Sequence, residues 1–123
     1  MNRKKQPPED WADRRRREGR NRAQFIRQEW PFVSLVTIEL EFPHIKMEPE
    51  EVHLGADDKA FFDYRCPNEC RQGGFDLSGQ IANMVQAKEK ERSDALVCRG
   101  MEKDGRLNCG LMLKYRITVR YKS

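Results

Sequence analysis

Apolar side chains fall at every second position from Leu111 to Tyr121. Lys114, Arg116 and Arg120 lie between them, and Lys122 follows. A period of two makes a strand with one buried and one solvated face, here a basic one. "VTIELEF" repeats the pattern: Val36, Ile38, Leu40 and Phe42 face one way, Thr37, Glu39 and Glu41 the other. "AFFDYRC", residues 60–66, reads as a second strand with Phe62, Tyr64 and Cys66 on one face. "ALVCRGM", residues 95–101, reads as a third strand, joined to the long one through a hairpin turn at Asp104-Gly105. Between the second and third strands the period lengthens. Leu77, Ile81, Met84, Val85 and Lys88 recur at helical spacing, Asp76 or Ser78 offers a cap, and "KEKER" forms a solvated last turn.

Residues 43–59 hold Pro43, Pro49, Gly55 and many acids, and read as a long loop with a short extended piece near Val52–Leu54. The element order is β-β-α-β-β. It predicts an α+β fold: a small antiparallel four-stranded sheet with one helix on its apolar face.

The first thirty residues read differently. Residues 1–8 are polar and end in Pro7-Pro8, the composition of a disordered segment. Phe25, Ile26 and Trp30 suit a short helix over 21–30, docked on the core and stopped by Pro31. "RRRREGRNR" has no large apolar side chain with which to pack. Residues 1–30 are therefore expected to be a partly disordered arm, and residues 31–123 a single domain.

Charge sharpens that boundary. Residues 1–30 contain ten Lys/Arg against five Asp/Glu, a net +5, which leaves the rest of the chain at −1 of the total +4. Arg14, Arg15, Arg16, Arg17, Arg20 and Arg22 are the candidate contacts of the arm, because guanidinium matches phosphate geometry. The expected partner is nucleic acid or a ribonucleoprotein. The alternative is a protein–protein or regulatory module whose arm docks an acidic partner, anchored by Trp11, Phe25 and Trp30. Oligomeric state is left open.

With 36% charged and 37% hydrophobic residues, the core is small and a staple would help it. "MNRKKQPPEDW" has no apolar run, so neither a signal peptide nor a membrane span is expected and the reading is cytoplasmic. Thiols stay reduced there, which turns four cysteines from a disulfide framework toward a metal site.

The cysteines come as two pairs. Cys66 and Cys70 in "CPNECRQGG" flank a stiffened loop, and Gly73-Gly74 let the backbone turn sharply afterwards. If Asp104-Gly105 form the turn, paired positions sum to 209 and Cys98 faces Leu111. Cys109 is then diagonal to Cys98 on the same face, with Cβ atoms about 7 Å apart. That is long for a disulfide but suits two ligands of one ion, especially if a bulge near Cys109 draws them inward. The expectation is one structural Zn²⁺ per chain held by Cys66, Cys70, Cys98 and Cys109. Alternatives are buried free thiols, a disulfide, or a redox pair of Cys66 and Cys70. His44 and His53 are substitute ligands should a cysteine be misplaced.

No nucleophile elbow, phosphate-binding glycine loop or HExxH occurs, so a non-enzymatic module is expected. Glu48, Glu50, Glu51, Asp57 and Asp58 read as a solvated acidic loop. The basic ladder of the last strand carries no aromatic on its own face and reads as structural. Its partners would be Glu39 and Glu41, on a first strand lying antiparallel beside the last.

Overall fold

The computed structural model describes residues 11–68, 70, 73–100 and 109–122. The expectations of disorder over 1–8 and of a turn at Asp104-Gly105 lie outside these residues. The fold is α+β. Helices α1 (Trp11–Arg22) and α2 (Ile26–Glu29) precede strand β1 (Val33–Glu41) and strand β2 (Glu50–Gly55). Then come β3 (Asp63–Tyr64), β4 (Phe75–Asp76), α3 (Ser78–Gln86), β5 (Glu91–Val97) and β6 (Met112–Tyr121). The main sheet is antiparallel in the order β2-β1-β6-β5, and β3 pairs with β4 in a separate two-stranded ribbon.

The two strongly alternating segments are the two central strands. Val36, Ile38 and Leu40 of β1 and Leu113, Ile117 and Val119 of β6 are buried on one face. Ile81, Met84 and Val85 of α3 join them in the core. On the other face Glu39 stands opposite Arg116 and Glu41 opposite Lys114, as the charges of the strands suggested. Arg116 Nε lies 2.8 Å from Glu91 Oε1 and 3.8 Å from Glu39 Oε2.

The second strand of the sheet is not "AFFDYRC". It is Glu50–Gly55, which contains the short extended piece expected near Val52–Leu54 but is longer and is part of the sheet. An edge strand pairs on one side only, and its acidic residues discourage further pairing. Only Asp63–Tyr64 of "AFFDYRC" is strand, in the small ribbon. β5 also begins earlier than expected, at Glu91. The helix ends at Gln86, where Glu89 N–H donates to Met84 O (2.8 Å) and Lys88 takes a left-handed conformation (φ 54°).

Within the arm, described residues pack on the body. α1 lies on the body through Ala12, Arg16 and Gly19. Ala12 is buried, and a Cβ on Gly19 would come 3.2 Å from the Phe61 ring. Beyond α1, Ile26 is buried and Trp30 stacks on Phe62 at 6.0 Å between centroids, so the docking expected of these residues is present. The helical turn carrying them is only Ile26–Glu29. No helix among the described residues is long and apolar enough to cross a membrane.

Candidate metal centre

The four cysteines meet. The Sγ atoms of Cys66, Cys70, Cys98 and Cys109 all lie within 4.8 Å of one another. Cys66 Sγ is 3.7 Å from Cys109 Sγ, and Cys70 Sγ is 3.3 Å from Cys98 Sγ. A tetrahedral ion with metal–sulfur bonds of ~2.3 Å sets its sulfurs ~3.8 Å apart, so the cluster fits such an ion. All four are free thiols. His44 and His53 are not part of the cluster.

Local structure brings each ligand in. Cys66 follows β3, and Cys70 lies four residues further along the same loop. Cys98 directly follows β5. Strand pairing keeps the sum of 209, with Leu96 opposite Leu113 and Val97 opposite Met112. Cys98 N–H donates to Leu111 O at 2.8 Å, while Gly110 N–H donates to Cys98 O at 3.1 Å. Two residues thus oppose one, and Gly110 has φ 67°. This is a glycine bulge, and it turns Cys109 toward Cys98 instead of leaving it a strand diagonal away. Cys109 is then fixed by its own N–H, which donates to Gly100 O at 2.7 Å.

Backbone and side-chain donors surround the sulfurs. Gly74 N–H and Gly100 N–H each approach Cys98 Sγ at 3.4 Å, and the Asn68 amide approaches Cys109 Sγ at 3.6 Å. Such donors favour the thiolate form. Burial works against it. It pushes the Cys66 thiol up to about 11, and it raises Cys70 as well, helped by the thiols of Cys98 and Cys66. Burial also acts on Cys109, but the bonds from Leu111 N–H, Asn68 and the neighbouring thiols outweigh it and carry that thiol below its ordinary value. Without a metal the centre is a set of competing thiols, with unequal tendencies to ionise.

Gly73 and Gly74 do more than turn the chain. A Cβ at Gly73 would stand 2.2 Å from Cys70 Sγ and 2.5 Å from Cys98 Sγ, so only glycine lets the backbone pass the cluster. Gly74 has φ 134°, and a Cβ there would occupy the place of the Arg16 guanidinium. Arg16 bonds the Gly73 carbonyl, Asp13 Oδ1 at 3.0 Å and Asp63 Oδ1 at 3.0 Å. Its side chain is only 11% exposed.

The arginines proposed as a contact set are therefore not equivalent. Arg16 is a brace of the cysteine loop, whereas the sequence reading placed it among the surface contacts. Its guanidinium fits the gap that Gly74 leaves. Arg14 and Arg22 both reach Glu18, Arg15 lies over the Trp11 ring and Arg20 over the Phe61 ring. Arg17 lies on the exposed side of α1. Of the bracing residues, sequence reasoning missed Arg16 and Asp63. The signal was there in Ala12, Arg16, Gly19 and Ala23, which recur at four- and three-residue spacing and form one helix face.

No protein-family model matches the chain, no curated protein matches it, and no solved structure matches it.

Proposed function

We propose that the chain is a zinc-stapled, non-catalytic binding module whose leading partner is nucleic acid or a ribonucleoprotein. The observation that carries the reading is the closed set of four cysteine sulfurs. Four thiolates suit Zn²⁺ and leave no coordination position open for a substrate. A metal held there would tie the loop after β3 to the β5–β6 hairpin and so fix a domain with a small core. Raised thiols at Cys66 and Cys70 run against a redox role, which needs an accessible, readily ionised sulfur.

Charge supports the choice of partner. α1 holds six arginines against Asp13 and Glu18, and the side chains of Arg14 and Arg22 are 65% and 76% exposed. Internal ion pairs on a solvated helix leave its net positive field in place. A protein partner is the second reading. It is favoured by Trp11 and Val97, both more than half exposed, which line a shallow groove of about 200 Å³ with Leu96 and Arg99.

Metal analysis of protein purified without chelator should find one zinc per chain, and cobalt substitution should give the intense bands of tetrahedral thiolate coordination. Much less than one equivalent sinks the staple. Fluorescence anisotropy against single-stranded RNA and duplex DNA at several salt concentrations tests the partner. Changing Arg14, Arg15 and Arg22 to Gln, with Arg16 kept, should flatten the salt dependence by about two to three units of slope. Absence of binding at low salt promotes the protein-partner reading.

A further inference from the structure

β6 runs away from the cysteines for ten residues, about 30 Å, and at its far end lies a second chemically distinct corner. Phe32, Tyr121, Lys88, Lys90 and Lys122 line a shallow groove of about 540 Å³ there. The Phe32 and Tyr121 rings are nearly parallel, 14° apart with centroids at 6.2 Å, and Phe32 remains 42% exposed. Tyr121 is held from behind, because its hydroxyl donates to Glu89 O at 2.7 Å and lies 3.2 Å from Met84 O. Phe32 is held through its carbonyl, which accepts from Lys122 N–H at 2.8 Å. The aromatic platform is therefore built before any ligand arrives.

The lysine side chains are arranged around it. None of the three makes an ion pair among the described residues. The nearby carboxylate, Glu89, is taken by Arg92 at 2.8 and 3.1 Å. A helix end attracts cations, and that alone could account for a lysine just past the end of α3. It does not account for the placement of Lys88. This residue occupies the left-handed position that closes the helix, where glycine is favoured and any side chain is strained. Strain retained at a surface position is explained when the side chain has a use.

We propose that this corner binds single-stranded nucleic acid, one base stacking on the open side of Phe32 while Lys88, Lys90 and Lys122 contact the flanking phosphates. The inference rests on the nucleic-acid reading above and adds to the phosphate contacts of α1 a base contact at the far end of β6. Any base offers a flat face to an aromatic ring, so the expected recognition is tolerant of sequence. A duplex keeps its bases stacked inside and cannot use Phe32 in this way.

The test is an anisotropy titration of the full chain with a fluorescein-labelled oligo-U twelve-mer and a duplex of equal length. Lys88→Gly is the informative variant, because relief of the backbone should raise the thermal midpoint by a few degrees while binding weakens. Changing all three lysines (K88G, K90Q and K122Q) should lower the salt slope by about two units for a single strand. Phe32→Leu should weaken binding roughly five- to tenfold and leave the slope unchanged. If the wild-type chain binds and the triple variant binds equally well, the corner is overturned and α1 keeps the contact. Equal affinity for the duplex overturns the stacking. A wild-type chain that binds no nucleic acid but binds phosphatidylserine vesicles overturns both readings.

Discussion

Arg16 Nε donates to Asp63 Oδ1 at 3.0 Å, across 47 positions of chain. The bond ties α1 to β3, whose next turn delivers Cys66. Through the Gly73 carbonyl the same guanidinium holds the other limb of the cysteine loop. Arg16→Ala should therefore loosen the metal as well as the helix. With both side chains of the pair below 20% exposure, the loss is expected to be about 2–3 kcal/mol. The Arg16→Ala/Asp63→Ala double variant should cost less than the two singles combined. Urea melts measure the energies, and chelator competition measures metal release.

Gly73 and Gly79 make a matched pair. Gly73→Ala drives a methyl group into two sulfurs and should abolish stoichiometric metal binding. Gly79, in the first turn of α3, has nothing within 4 Å of its added Cβ. Gly79→Ala should stabilise the domain by about 0.5–1 kcal/mol with metal content unchanged. Thermal melts and metal analysis on both variants separate the two outcomes.

The pH response should reverse with metal. Cys66 moves from 9.0 to about 11 on folding without metal. A raised thiol contributes stability that is full below pH 9 and is lost as pH climbs through about 11. Cys70 shifts the same way and Cys109 the opposite way, so the metal-free loss should be partial. In the loaded protein, protons compete for the thiolates, and stability should fall as the medium is acidified. Thermal midpoints across roughly pH 5 to 11, with and without chelator, would display both limbs.

The charged ladder on the open face of the sheet should matter little. Glu39, Arg116 and Glu91 are each about half exposed. Arg116→Gln is expected to cost no more than about 0.5 kcal/mol, and less in high salt. A loss of several kcal/mol in a urea melt would mean that this face is covered by something.

How well each element could be read follows from what the chain has to bury. β1 and β6 are central and half-buried, so alternation marks them clearly, and the Asp104-Gly105 signal placed Cys98 opposite Leu111 in the correct register. β2 has one neighbour and leaves Glu50 and Glu51 in water, so its pattern is faint. The docking of α1 is not legible in the sequence, because the helix packs without bulk. Ala12 and Gly19 are small enough to let the helix approach, and Arg16 supplies polar contacts where a leucine was sought. The cysteine spacing brought the four ligands together in principle. It could not show that Gly73 must be bare beside them, or that Gly110 would bend Cys109 into range.

The strand order has a consequence for synthesis. β1 is the first strand to leave the ribosome and β6 the last of these elements, yet they are hydrogen-bonded neighbours at the centre of the sheet. Until β6 emerges, β1 can pair only with β2 among the described strands, and its other edge has no strand to meet. Cys109 emerges just ahead of β6, so the last thiol and the central strand arrive almost together. The sheet must remain open until β6 has been made, with its closure and completion of the cysteine cluster falling into one event.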